Sequence, residues 1–127
     1  MTERQSRTKP EAVLRRGDVV LVPFPFTDLS AEKLRPAVIT SVDPQKTDII
    51  IAFISSVVSP GELSETDYVL RPDNPDFPQT GLKRASTFRM KKLLTIERSK
   101  IIRRLGTVSL AIQKELDVRL RQAVGLQ

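Results

Sequence analysis

Short runs of apolar, β-branched and aromatic residues recur along the first half of the chain, separated by polar links. Three such runs are GDVVLVPFPF at 17–26, PAVITSV at 36–42 and IIIAFISS at 49–56. Each run is rich in strand-forming residues and too short for a typical helix, so we predict three buried strands. The third run is apolar at successive positions, which indicates a small barrel or a sheet covered on both faces.

Prolines limit how the first predicted strand can pair. Pro23 and Pro25 have no amide hydrogen to donate to a neighbouring strand. We therefore expect the end of this strand to be an edge or a bulge. Residues 57–82 are rich in proline and polar residues, and we predict a long excursion there with one strand near 68–71.

Two further strands are predicted in the second half. STFRMKKLLTI at 86–96 mixes apolar and basic positions, which predicts a strand with a charged outer face and a bulge at Lys91 and Lys92. SKIIRRLGTV at 99–108 predicts a short turn or helix followed by a strand.

A strong helical period occurs at 109–124. Five apolar residues fall on one face of this segment: Ile112, Leu116, Leu120, Ala123 and Val124. Ser109 is a candidate N-cap, and Gly125 is a candidate residue just beyond the C-terminus. Short strands followed by a terminal helix predict a small, mostly antiparallel barrel with helical additions, at 15–127, after a flexible tail at 1–14.

Composition narrows the chemistry that such a domain can perform. The 127 residues favour a single domain, and they contain no cysteine and no histidine. Disulfides, thiolate metal sites, Ser-His-Asp catalysis and Cys-His catalysis are therefore excluded. No apolar run approaches the ~18 residues of a membrane span, and the N-terminus has no apolar signal core. We expect a cytoplasmic protein that needs no metal or cofactor.

Positive charge is concentrated in one segment. The net charge is +6, and residues 83–104 alone carry nine basic side chains and one acidic side chain. This pattern suits a polyanionic partner, although a basic surface can also serve solubility alone. Arg89, Lys91 and Lys92 lie on the predicted strand of this segment and could follow a phosphate backbone.

Two placements are candidates for chemistry. Arg35 precedes Pro36 at the expected junction of a loop and a strand, where a guanidinium can grip a phosphate with two hydrogen bonds. The alternative for Arg35 is a structural ion pair with Asp28 or Glu32. Ser55 and Ser56 end the third strand, and their hydroxyls either satisfy nearby backbone groups or bind a substrate phosphate.

Five segments in a compatible order resemble the MazF/PemK family of toxin endoribonucleases, in its PemK-like branch. They are RRGDVVLVPFPFTDLS, KLRPAVIT, IIAFISS, STFRMKKLLTIERSKIIRRLGTVS and the terminal helix, which together span about 15–124. The resemblance implies an SH3-like antiparallel β-barrel with a C-terminal helix, usually a homodimer. It also implies metal-independent cleavage of single-stranded RNA, often at a short sequence, and an acidic antitoxin partner.

The resemblance assigns roles to particular residues. Arg35 falls on the family's catalytic arginine, and Ser55 falls where many members have a supporting threonine. PFTDLSAEK matches the loop that flanks the RNA groove. The implied RNA-binding residues are Phe26, Thr27, Asp28, Ser30, Glu32, Lys33, Ser56, Arg89, Lys91 and Lys92.

Under this hypothesis the 2′-hydroxyl of the RNA attacks the adjacent phosphate, so neither a metal nor a protein nucleophile is required. The general base is open, with Glu32 and Asp28 as candidates. Lys91 and Lys92 replace a Glu-Gln pair that contacts RNA in some members, which leaves the cleavage sequence open.

Two other functions remain for this fold. One is a toxin that binds DNA gyrase, as CcdB does, but the chain ends in RQAVGLQ and has no tryptophan for that contact. The other is a barrel that binds nucleic acid without cleaving it.

Overall fold

Six strands and a C-terminal helix make up the regular structure. The computed structural model describes residues 13–24, 33–45, 47–56 and 59–127. The elements are β1 (Asp18–Phe24), β2 (Lys33–Val42), β3 (Asp48–Ser56), β4 (Asp67–Leu70), β5 (Ser86–Glu97), β6 (Arg103–Thr107) and α1 (Leu110–Ala123). Short 3₁₀ turns lie at Pro60–Glu62, Pro78–Thr80 and Arg98–Lys100.

All six strands belong to one antiparallel sheet, in the order β4-β5-β3-β2-β1-β6. The sheet curls into a half-barrel, and the helix packs on one of its faces. The predicted fold, a small SH3-like antiparallel barrel with a C-terminal helix, is therefore confirmed. No helix in the described ranges is both long and apolar enough to cross a membrane.

Apolar side chains form two cores, one on each face of the sheet. The barrel core lies inside the curl and takes Ile49, Ile51 and Phe53 from β3. The helix-side core takes Ala52 and Ile54 from the same strand, together with buried residues of α1. Because successive strand residues point to opposite faces, β3 is apolar on both faces from Ile51 to Ile54, as its sequence predicted.

The segment between β5 and β6 packs on the barrel core and reaches β1. Ile101 is buried in this core, and the Ile102 amide donates a 2.8 Å hydrogen bond to the carbonyl of Leu21. β6 then pairs with β1 from Asp18 to Leu21. Pro23 lies beyond this pairing, so its missing amide hydrogen interrupts no β1–β6 bond. The predicted edge at the end of β1 is confirmed for Pro23, whereas Pro25 lies outside the described residues.

A bulge interrupts β5 where the two lysines stand. Ile54 of β3 pairs with Phe88, whereas Ala52 pairs with Leu93. The β5 segment 89–92 thus lies opposite the single residue Phe53, so β5 leaves the regular ladder there. The bulge predicted at Lys91 and Lys92 is confirmed, and it turns these residues out of the regular ladder.

The second strand begins earlier than predicted. β2 starts at Lys33 because its pairing with β1 continues as far as Lys33 opposite Phe24. The expected loop-to-strand junction at Arg35 is therefore wrong, since Arg35 is the third residue of β2. Of the predicted tail, 1–12 lies outside the described residues, and Leu14 is buried in the barrel core.

Helix α1 has the caps that its sequence predicts. The Ser109 hydroxyl accepts a 3.1 Å hydrogen bond from the Ile112 amide, and Gly125 follows the helix with φ +79°. Ile112 and Leu116 are fully buried against the sheet. Val124 is 49% exposed, so its predicted place on the apolar face is wrong, because the helix ends one residue earlier.

Two glycines allow the turn Pro78–Thr80 to lie directly against β6. A β-carbon on Gly106 would collide with the carbonyl oxygen of Gln79. A β-carbon on Gly81, whose φ is +77°, would collide with the carbonyl oxygen of Leu105. The close approach holds the segment before β5 beside the middle of β6.

Gly106→Ala should destabilise the fold, because the added methyl group meets backbone atoms that cannot move aside. We expect a loss of about 1–3 kcal/mol in the free energy of unfolding, measured by urea denaturation. Gly61→Ala is the matched control, because no atom of the described residues lies within 4 Å of a β-carbon there, and its effect should stay within about 0.5 kcal/mol. Equal stability of the two variants would contradict the close approach.

Candidate functional site

The register of the sheet brings Arg35 and Ser55 together. β2 and β3 pair with Ala37 opposite Phe53. The pairing ends there, and Arg35 and Ser55 each lie two residues further along their strands. Because alternate residues of a strand share a face, Arg35 and Ser55 lie on the barrel face with Ala37 and Phe53. The two residues that the sequence proposed for catalysis therefore flank the end of the paired region, and both line the same clefts.

The guanidinium of Arg35 lies against an aromatic wall. Its central carbon is 5.1 Å from the centroid of the Phe24 ring, which is a cation–π distance. The Phe24 ring in turn meets Phe53 edge to face, with centroids 5.1 Å apart. Arg35 Nε is buried, and no described group accepts a hydrogen bond from it. An anion is the natural partner for a charged donor in this position.

Two hydroxyl groups follow Arg35 across the sheet, one on β3 and one on β5. The Ser55 hydroxyl donates a 3.0 Å hydrogen bond to the carbonyl of Ser56, and a rotation about one bond would redirect it. Thr87 of β5 is the cross-strand partner of Ser55 on the other side. Thr87 is fully buried, and its hydroxyl has no partner among the described residues. A cation and two hydroxyls therefore follow one another across three strands.

A cleft of about 590 Å³ opens on the barrel face beside this row. We call it the first cleft. It combines aromatic, hydroxyl and basic side chains, and its lining is Phe24, Arg35, Phe53, Ile54, Ser55, Arg89, Lys91, Lys92 and Leu93. The bulge of β5 supplies its basic wall.

The basic residues of this wall differ in how they are held. Arg89 Nε donates a 3.0 Å hydrogen bond to Asp67, whose carboxylate is only 3% exposed and also accepts from the Ser64 amide. Lys91 and Lys92 are exposed, and no ion pair of theirs is found within the described ranges. The two lysines therefore supply positive charge that Asp67 does not neutralise.

A second cleft, of about 500 Å³, lies on the helix face at the same end of the sheet. It shares Arg35, Ile54 and Ser55 with the first cleft. Its other lining residues are Leu21, Leu34, Pro36, Ser56, Gly81, Leu82, Lys83, Arg84, Ser86, Arg103 and Leu105. The two clefts therefore meet at the candidate catalytic pair.

The structure brings most of the predicted site residues that it describes into these clefts. Arg35 and Ser55 line both, and Ser56 lines the second. Lys33 pairs with Phe24 but lines neither cleft. Five predicted residues lie outside the described residues: Phe26, Thr27, Asp28, Ser30 and Glu32. The proposed ion pair of Arg35 with Asp28 or Glu32 therefore stays a prediction.

Sequence reasoning missed part of the lining. Phe53 looks like an ordinary core residue in the run IIIAFISS, and only the pairing with Ala37 places it beside the site. Lys83 and Arg84 belong to the basic segment but were not singled out, because their place depends on the close approach of Gly81 to β6. No pattern of spacing in the sequence could have indicated either arrangement.

The arrangement suits the binding of an anion and the stabilisation of negative charge. A half-buried guanidinium, a hydroxyl that can rotate and two exposed lysines converge on one cleft. Within the described ranges, no group of three or more acidic side chains gathers that could hold a metal ion. The described residues of the site supply electrostatic and hydrogen-bonding groups.

Sequence comparison identifies a family. The family model of the PemK-like, MazF-like toxin of type II toxin–antitoxin systems matches residues 15–124. A search of curated proteins finds no match to the chain.

Solved structures share the fold. An endoribonuclease from a mycobacterial species, solved in complex with its cognate antitoxin, superposes with a TM-score of 0.68 at 17% identity, covering 91% of this chain and 98% of that one. The Mycobacterium tuberculosis toxin MazF-mt6 gives 0.67 at 18% identity, covering 87% and 98%. MazF in a MazE–MazF complex from Deinococcus radiodurans gives 0.68 at 16% identity, covering 91% and 99%.

Arg89→Gln should destabilise the protein, because it leaves the buried Asp67 carboxylate without its charged partner. We expect a loss of about 2–3 kcal/mol in the free energy of unfolding, measured by urea denaturation. The control is Lys92→Gln on the same bulge, whose exposed side chain should contribute within about 0.5 kcal/mol. If both variants unfold alike, Arg89 is not the structural member of the basic wall.

Proposed function

Because the chain belongs to the PemK-like, MazF-like toxins of type II toxin–antitoxin systems, we propose that it is an endoribonuclease that cleaves single-stranded RNA. The observation that carries the proposal is that Arg35 and Ser55 both line two clefts and lie where these clefts meet. A flexible polyanion can place one phosphate at the junction and its neighbouring nucleotides in the clefts.

Arg35 binds the scissile phosphate. A planar guanidinium donates two parallel hydrogen bonds to non-bridging phosphate oxygens. Phe24 supports its position by a cation–π contact, so little side-chain freedom is lost when the phosphate arrives. The guanidinium then stabilises the extra negative charge that develops on the phosphate oxygens in the transition state.

The attacking group belongs to the RNA. The 2′-oxygen forms a bond to the adjacent phosphorus while the bond from phosphorus to the 5′-oxygen of the next nucleotide breaks. The 2′-hydroxyl gives up its proton, and the leaving 5′-oxygen takes one, so the products are a 2′,3′-cyclic phosphate and a 5′-hydroxyl. DNA has no 2′-hydroxyl and is not cleaved. Asp28 and Glu32 are the candidates for the base that removes the first proton.

Ser55 orients the reacting groups. In the free protein its hydroxyl donates to the Ser56 carbonyl, so the resting site leaves no unsatisfied hydroxyl there. Rotation of this hydroxyl towards Arg35 would donate a hydrogen bond to the phosphate that the guanidinium holds. A serine is less restricted in its rotamer than the threonine found at this position in many family members.

The first cleft supplies contacts to the bases of the RNA. Phe24 and Phe53 form an aromatic wall, and aromatic rings stack on nucleic-acid bases. Lys91 and Lys92 supply positive charge for the backbone. Phe26, Thr27, Asp28, Ser30, Glu32 and Lys33 complete the RNA-binding set. We expect the contacts in the first cleft to determine any preference of the protein for a short RNA sequence.

A homodimer and an acidic antitoxin complete the proposal. Complexes of toxin and antitoxin are among the structures that share this fold. An acidic segment across the first cleft would meet Arg35 and the two lysines and exclude RNA. Mass measurement by light scattering, alone and with the antitoxin, tests both assemblies.

Arg35→Ala should reduce RNA cleavage by about 10²–10³, because the transition-state charge loses its main donor. The assay follows a mixed-sequence single-stranded RNA in EDTA and identifies the ends of the products. Arg121→Ala is the matched control, since this exposed arginine of α1 lies outside both clefts. We expect the control to cleave like the unmodified protein.

Each other outcome of this assay has a defined meaning. Equal cleavage by Arg35→Ala and the control would contradict the site assignment. Binding of RNA without products from the unmodified protein would favour a passive nucleic-acid-binding barrel. Inhibition of gyrase supercoiling in place of RNA cleavage would favour a CcdB-like toxin.

Ser55→Ala should cleave more slowly than Ser55→Thr. We expect about a tenfold loss for the alanine variant, as for a removed hydrogen-bond donor worth about 1.4 kcal/mol, and near-normal cleavage for the threonine variant. The single-turnover rate at saturating protein is the readout. If alanine and threonine at this position give the same rate, the hydroxyl has no part in the reaction.

A further inference from the structure

The second cleft continues the candidate active site around the end of the sheet. Leu34 and Pro36 line the second cleft and not the first, and they flank Arg35 along β2. Since neighbouring residues of a strand point to opposite faces, the two clefts lie on opposite sides of the same sheet end. A chain held by Arg35 can therefore extend into one cleft on each side.

Three cations gather in the second cleft from two separate segments. Lys83 and Arg84 precede β5, Arg103 begins β6, and all three are exposed. The close approach that Gly81 and Gly106 permit brings these segments together. No acidic side chain is among the described residues that line the cleft.

The neighbouring basic residue on β6, Arg104, has a different role from Arg103. Arg104 lies beside Arg103 in sequence, but its guanidinium forms an ion pair with the buried carboxylate of Asp18, with Nε 3.3 Å from Oδ1. No such ion pair involves Lys83, Arg84 or Arg103 within the described part of the chain. Arg104 therefore stabilises the fold, whereas Arg103 supplies positive charge to the second cleft.

The two clefts differ in the chemistry that they offer to a nucleic acid. The first has the rings of Phe24 and Phe53, whereas no aromatic side chain is among the described residues that line the second. Bases bind by stacking on rings, and phosphates bind to exposed cations without reading sequence. The described lining of the second cleft therefore has groups that suit a phosphate backbone.

We propose that the second cleft is a phosphate-backbone subsite for the nucleotides that flank the scissile phosphate on one side. It binds single-stranded RNA through Lys83, Arg84 and Arg103, irrespective of sequence. This inference rests on the proposed ribonuclease function and deepens it. RNA passes around the sheet end, with bases read on the barrel face and the backbone held on the helix face.

The test compares the double variant Lys83→Gln/Arg103→Gln with Lys114→Gln/Arg121→Gln. The control removes the same two charges from exposed positions of α1 outside both clefts. Substrates are oligoribonucleotides around a mapped cleavage site, shortened one nucleotide at a time from the 5′ or the 3′ side. The apparent KM and its dependence on salt are measured for each.

We expect the cleft variant to raise KM on the longest RNA by about fivefold, as for two lost contacts between exposed charges. The slope of log KM against log salt should fall by about 1.4, because each single-strand phosphate contact contributes about 0.7. Shortening one side of the RNA should remove the difference from the unmodified protein. The control should keep the unmodified KM and slope at every length.

Three results would overturn the subsite. One is an unchanged KM for the cleft variant on long RNA, and another is an increase that persists at every substrate length. The third is an unchanged KM with weaker binding of an acidic antitoxin, which would assign the cleft to a protein partner. Failure of the unmodified protein to cleave any RNA would instead overturn the proposed function, so the two failures are distinguishable.

Discussion

The antiparallel register between β2 and β3 is the constraint on which the site depends. It sets Ala37 opposite Phe53, and Arg35 and Ser55 lie two residues beyond that pair on the same face of the sheet. A slip of one residue would send every side chain of β3 to the other face. Ile51 would then enter the helix-side core where Ala52 fits, and both close-packed cores would be disrupted. Core packing therefore holds the two candidate catalytic residues in place.

The basic residues near the site have two different roles, one in stabilising the fold and one in binding an anion. Arg89 and Arg104 pair with the buried carboxylates of Asp67 and Asp18 and so stabilise the fold. Arg35 instead has an aromatic face and a buried Nε for which no described group is an acceptor. A guanidinium held in this way is ready for an anion, and phosphate is the anion that a ribonuclease must bind.

The strands and the helix could be predicted because each has a strong local signal. The unbroken apolar run of β3 indicated burial on both faces, and Ser109 and Gly125 indicated the ends of α1. The lysine pair indicated the bulge of β5. Local signals misplaced the start of β2, because its extension to Lys33 depends on pairing with β1.

The candidate site was predictable only in part. The resemblance to the toxin family pointed to Arg35 and Ser55, and the register then placed them on the same face of the sheet. The structural role of Arg89 depends on Asp67, which is 22 residues away in sequence. The second cleft depends on the approach of Gly81 to Leu105 and of Gly106 to Gln79, and no periodicity in the sequence encodes these contacts.

A double-mutant cycle between Arg35 and Ser55 tests the central claim most directly. The single-turnover rate of RNA cleavage is measured for Arg35→Ala, Ser55→Ala and the double variant. Because both groups act on one phosphate, the loss in the double variant should be clearly smaller than the product of the two single losses. Independent, multiplicative losses would contradict the view that the β2–β3 register builds a single catalytic unit from these two residues.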